Sequence, residues 1–185
     1  MKVAKRRRRE GKTDYAIRIK LLKSEKPRLV FRKTNKYLVV QYLESKEAKD
    51  SIKIGMTSSA LIRYGWPKKA QGSLKSLPAC YLMGILFGKT IVSKKLESPI
   101  VDFGMYRVLS KSRLQGFVKG LVDSGLNINY NEEFFPSEER IEGGHLKNKI
   151  PFGSVKANIE HLKETEDHKV KTVKKPKTAK TTKNK

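Results

Sequence analysis

Four consecutive arginines, Arg6 to Arg9, stand just before Gly11, Lys12 and Tyr15. A guanidinium offers a planar fork of donors that grips phosphate bidentately and stacks on a base, so an arginine run beside a tyrosine suits contact with RNA better than a lysine run. A localisation signal or a merely solvated arm would have the same composition. A second cluster, Tyr64-Gly65-Trp66-Pro67-Lys68-Lys69, sets aromatics beside lysines in a Gly/Pro loop, which suits stacking on unpaired bases. Lys68 and Lys69 are assigned to phosphate; Trp66 is either a base platform or a core anchor.

Catalytic arrangements are harder to assemble. The segment Gly84-Ile85-Leu86-Phe87-Gly88-Lys89-Thr90 resembles a phosphate-binding loop but has three residues between its glycines instead of four, and it falls inside a helical pattern. Asp102 at a strand end could hold a metal only with other carboxylates converging on it, and Glu132, Glu133, Glu138 and Glu139 lie in a later, Pro-containing stretch. A structural or capping aspartate is the expectation there. His145, His161 and His168 lack metal-ligand spacing, and Cys80 is the sole cysteine, so neither a disulfide nor a cysteine-based zinc site can form within the chain. We expect no catalytic residue, no metal and no cofactor.

The net charge of +24 on 185 residues calls for a polyanionic partner. It is unevenly spread: residues 1–36 carry +12 and residues 169–185 carry +8, leaving +4 for everything between. The Lys-rich tail has no apolar period and is expected to be a disordered polycation that binds phosphates without choosing sequences. No apolar stretch approaches the roughly 20 residues that span a bilayer, and the basic start runs into Glu10 and Asp14, so the expectation is a cytoplasmic protein with no membrane partner.

These residues must be positioned by regular elements. Thr13 or Asp14 caps a short helix to about Ser24, stopped by Pro27. Residues 28–32 and 37–43 read as a β-hairpin around Lys33-Thr34-Asn35-Lys36, with Leu29 and Phe31 on one face and Arg28, Val30 and Arg32 on the other. The first face is expected to meet the core and the second to meet phosphate. Ile52, Ile54 and Met56 mark a third strand, completing an antiparallel meander. Ser76 and Pro78 open a helix to about Lys95, whose Gly84 and Gly88 read as a packing seam. A short strand at Ile100–Phe103 precedes a second helix from Ser112 to Gly125 with the stripe Leu114, Phe117, Val118, Leu121 and Val122. The order predicts an α/β fold: a mixed β-sheet covered by helices.

Several runs together resemble a known family. They are Arg6 through Tyr15, Lys26-Pro27-Arg28-Leu29-Val30, Tyr64-Gly65-Trp66, Leu77 through Gly84, Val101-Asp102-Phe103-Gly104 and Glu139 through His145. In order, from about residue 5 to 146, they look like the archaeal form of large-subunit ribosomal protein eighteen, related to eukaryotic large-subunit ribosomal protein five. The resemblance implies a ribonuclease-H-like three-layer fold without nuclease chemistry. It also implies a non-catalytic protein that binds 5S ribosomal RNA, touches the large ribosomal RNA and meets neighbouring large-subunit proteins of the central protuberance. Carried over, Arg6 to Arg9, Gly11, Lys12 and Tyr15 form an extension entering RNA, and Arg28, Arg32, Lys33 and Asn35 contact it from the hairpin. Where the family usually has a glycine-rich loop after Tyr-Gly-Trp, this chain has Pro67 to Lys75, and the tail after about residue 168 has no counterpart.

The full expected RNA-binding set adds Arg18, Thr34, Lys36, Lys68, Lys69, Arg107, Lys111 and Arg113. We divide the chain into a basic arm with a short helix (1–25), an α/β core (26–128), a C-terminal extension (129–168) and a Lys-rich tail (169–185), and expect a monomer outside the ribosome. A nuclease on the same fold would need metal-dependent cleavage around Asp102. A general nucleic-acid compactor would bind duplex DNA as readily as structured RNA.

Overall fold

Leu29, Phe31, Val40 and Tyr42 lie at alternate positions of two neighbouring strands and are all buried, which gives the sheet one apolar face. The computed structural model describes residues 3–47, 49–146 and 149–161; the Lys-rich tail lies outside them. Strand β1 (Arg28–Lys33) pairs antiparallel with β2 (Leu38–Lys46), and β2 with β3 (Lys49–Thr57). Strand β4 (Ile100–Asp102) runs parallel to β1, so the sheet is mixed, with the order β3-β2-β1-β4. The register sets Leu29 opposite Tyr42 and Phe31 opposite Val40, keeping all four side chains toward the core.

Two helices cover that face. Helix α3 (Leu77–Ser93) starts with Pro78 in its first turn, and every residue from Leu77 to Gly88 is buried. Helix α4 (Arg113–Asp123) is amphipathic, burying Leu114, Phe117, Val118 and Leu121. The two backbones touch at Gly84 and Gly120: a methyl group on Gly84 would strike the Phe117 carbonyl oxygen, and one on Gly120 the Tyr81 carbonyl oxygen. The predicted seam is therefore present, and Gly88 packs on Ser124 in the same line. Phe117 then reaches Phe31 with ring centroids 4.7 Å apart, tying α4 to β1. Each such fully buried apolar side chain contributes roughly 1.5–3 kcal/mol.

Before the sheet come α1 (Arg6–Arg9) and α2 (Tyr15–Lys23). After α4 come α5 (Glu138–Glu142) and α6 (Phe152–Glu160), neither of which the sequence reading anticipated. They pack on α3 and bury Ile141, Val155 and Ile159 in the common core. Trp66 is 2% exposed, and its Nε1 donates to the Ala70 carbonyl oxygen at 3.1 Å, so of its two open roles the core anchor is the one observed.

Candidate nucleic-acid interface

The arginine run folds into the single turn α1 instead of an extended thread. Gly11 stops it in the left-handed region at φ 60°, where its N–H bonds the Arg8 carbonyl and the Lys12 N–H bonds the Arg7 carbonyl. Those two bonds form a Schellman cap, which needs a residue free of a Cβ penalty at this position. Three residues later Asp14 caps α2 by accepting from the N–H groups of Ala16 and Ile17 at 2.8 and 3.2 Å. Arg7 Nε donates to Thr13 Oγ1 at 2.8 Å across the joint, and Lys5 Nζ lies 4.9 Å from the Tyr15 ring centroid. Arg6 and Lys12 both lean on Glu10, whereas Arg8 and Arg9 form no ion pair among the described residues. All four arginines are exposed.

The basic face of β1 departs from expectation. Ile17 and Leu21 of α2 share a crevice with Arg28 and Arg32, so this side of the sheet is covered rather than open. Arg28 is 2% exposed, with Nη2 donating to Asp50 Oδ1 at 2.6 Å and Ser45 Oγ at 3.0 Å, and Nη1 3.7 Å from Asp102 Oδ2. Its assignment to RNA is therefore corrected: Arg28 is a buried ion-pair partner. Arg32 keeps 38% of its side chain exposed while donating to the Phe31 and Asp102 carbonyl oxygens, both at 2.8 Å, and to Asp102 Oδ2 at 3.3 Å. Arg18 joins the network from α2 through Asp50 Oδ2 at 3.0 Å.

Asp102 completes this arrangement by accepting from the Gly104 N–H at 2.7 Å through Oδ1. Its contacts are those of a structural carboxylate. Burial alone would raise the Asp50 carboxyl pKa. Hydrogen bonds from Ser45 and Arg18, with the charges of Arg28 and Arg18, outweigh burial and hold it below its ordinary 3.8. Among the described residues no group of three His, Cys, Asp or Glu side chains could hold a metal ion.

The other candidates occupy separate places. Lys33, Thr34, Asn35 and Lys36 are exposed on the hairpin turn, where the Thr34 hydroxyl bonds both the N–H and carbonyl of Tyr37 and Lys75 Nζ donates to the Asn35 carbonyl at 2.7 Å. Lys68 and Lys69 are exposed on the turn Lys68–Ser73. Arg107, Lys111 and Arg113 meet Lys33 around a cleft at the start of α4. Arg140 and His145, absent from the sequence-derived set, enter the same cleft. No spacing connects them to Arg113, although the run Glu139 to His145 already stood among the family-like segments.

Comparison with known proteins places the chain among relatives. A protein from Korarchaeum cryptofilum named large ribosomal subunit protein uL18 is 41% identical over 145 residues, 78% of this chain and 72% of its own. Proteins of that name from Methanospirillum hungatei and Methanoculleus marisnigri are 36% and 39% identical, covering 85% and 84% of this chain and 89% and 87% of their own. The profile of the family described as ribosomal large subunit proteins 60S L5 and 50S L18 matches residues 1–99, and the chain belongs to that family.

Proposed function

We propose that this chain is a structural constituent of the large ribosomal subunit that binds 5S ribosomal RNA and helps attach it to the large ribosomal RNA in the central protuberance. The observation that carries the reading is the arm: four exposed arginines on a helical turn whose exit is fixed by the Gly11 cap and the Asp14 cap. A loose polycation would bind any nucleic acid equally, whereas a shaped one can match a particular groove. Lys33, Lys36, Lys68 and Lys69 extend the cationic surface away from the arm, and Arg32 can offer only its exposed edge. Asp102, engaged by two arginines and a backbone N–H, speaks for a binding protein and against a nuclease centred on it.

The test is binding of the full chain to 5S ribosomal RNA, with transfer RNA and duplex DNA of equal length as competitors, at two salt concentrations. Contact with roughly six to ten phosphates would weaken binding by about 10³ to 10⁵ between 50 and 200 mM salt. Preference for 5S RNA persisting at the higher salt supports the reading. Equal binding of all three that collapses together would mean charge alone acts, and would sink it.

A further inference from the structure

We propose that the cleft at the N-terminal ends of α3 and α4 holds one unpaired nucleotide of the bound RNA. This rests on the RNA-binding reading above and adds a contact separate from the arm. Five cations, Lys33, Arg107, Lys111, Arg113 and Arg140, line this cleft of about 630 Å³. Among the described residues no carboxylate lines it, and none of the five forms an ion pair. Cations gathered from the end of β1, the loop after β4, the start of α4 and α5 repel one another unless an anion comes between them.

The two helices reinforce that demand. Ser76 and Ser112 are the N-cap residues of α3 and α4, yet neither side chain bonds its own helix, and both hydroxyl oxygens are buried without a partner. Helices of 17 and 11 residues thus border one cleft with first-turn N–H groups that no side chain caps, a setting that favours an anion.

Charge alone would admit any anion, and the apolar rim narrows the choice. Tyr106 and Leu109 are exposed at the mouth of the cleft, with Phe31, Leu77 and Leu114 buried beneath as its support. The Tyr106 hydroxyl donates to the Lys33 carbonyl oxygen at 2.6 Å, which holds the ring at the rim. A nucleobase unstacked from its neighbours has an apolar π face for that surface, and its flanking phosphates suit the cations. A duplex backbone would leave the exposed Tyr106 and Leu109 uncovered. The volume lies within the roughly 300–1,000 Å³ typical of small-ligand pockets.

The experiment is ultraviolet cross-linking of the full chain to a 5S ribosomal RNA transcript with peptide mapping. A fully paired RNA duplex of equal length and the variant Arg107→Glu/Arg113→Glu run alongside. Glutamate in the first turn of α4 favours the helix dipole, so the variant is expected to keep its unfolding temperature. The expected result is a nucleotide adduct on the Tyr106 peptide that is absent with the duplex and absent in the variant, while the Tyr15 adduct persists. Affinity of the variant should fall about tenfold or more, with the salt slope reduced by about 2. Adducts on the Tyr15 peptide alone would overturn the cleft and leave the arm reading standing; no adduct anywhere would overturn both. Equal Tyr106 adducts from the duplex would overturn the unpaired nucleotide. A variant binding and cross-linking like the parent would overturn the proposal and leave the cleft to an acidic protein segment.

Discussion

Arg8 and Arg9 project from α1 with no carboxylate partner among the described residues, whereas Arg28 is 2% exposed and shares Asp50 and Asp102 with Arg18 and Arg32. The side chain is the same and the setting is opposite. On the arm the charge faces water and is free to meet an external anion. At the sheet the charge is met internally, and its role is to hold α2, β1, β3 and β4 together. What separates the two is the placement of two aspartates distant in sequence from the arginines they hold.

The largest expected effect on the sheet side comes from Asp102→Ala. It removes the 3.7 Å partner of Arg28, which keeps Asp50, and frees Arg32, and losing these charge-assisted contacts costs about 1.5–3 kcal/mol, to be read from urea unfolding. RNA affinity of the molecules that remain folded should change little. The arm should show the reverse signature. Replacing Arg6 to Arg9 together by serine is expected to lower 5S RNA affinity about 100-fold at moderate salt and to flatten the salt slope by about 3, with an unchanged unfolding temperature. If that variant lost stability instead, the division between the two regions would fail.

Smaller changes sharpen the contrast. Gly120→Ala drives a methyl into the Tyr81 carbonyl oxygen, so α3 and α4 must separate at a cost of about 1–3 kcal/mol, measurable by denaturant titration and without effect on RNA affinity at saturating stability. Acid should weaken the sheet network. The Asp50 carboxyl is depressed in the folded state, so its contribution is complete above the unfolded pKa of about 4 and is lost as pH falls through the lower folded value. Asp50→Asn should remove that part of the acid dependence, checked by unfolding across pH 2 to 6 (about the range of carboxylate titration). Gly11→Ala should have the smallest effect on the whole molecule. At φ 60° a Cβ costs about 1–2 kcal/mol, confined to the α1 joint and read as faster exchange of the amides at positions 11 and 12.

Much of the fold follows from local patterns. Alternation at Leu29 and Phe31 marks the core face of β1, Ser76 and Pro78 mark the start of α3, and Gly84 marks the seam, because each is decided within a few residues of chain. The candidate site is less legible for a physical reason. Period-2 spacing says that Arg28 and Arg32 share a face but not what covers it, and the cover depends on the ion pair between Arg18 and Asp50. Helix α2 spreads Ile17, Ile19, Leu21 and Leu22 around its circumference, so no apolar stripe announces where it packs. Helix α6 did carry a signal: Phe152, Val155 and Ile159 stand at i, i+3 and i+7 in a stretch whose acids and prolines pointed elsewhere. Gathering Arg107, Arg113 and Arg140 around one cleft requires the tertiary packing of α4 and α5 near α3, which no spacing encodes.

The Schellman joint at Gly11, followed at once by the Asp14 cap, gives the arm its shape before any partner arrives. Fixing one backbone residue costs roughly 1–2 kcal/mol of conformational entropy, so a segment of this kind ordered only on contact would surrender much of its interaction energy to ordering. Here folding has already met that loss. Pre-organisation of this sort lets a few guanidinium contacts deliver more net affinity and slows dissociation, so a particle assembled with this protein should retain it through later remodelling instead of exchanging it with a free pool.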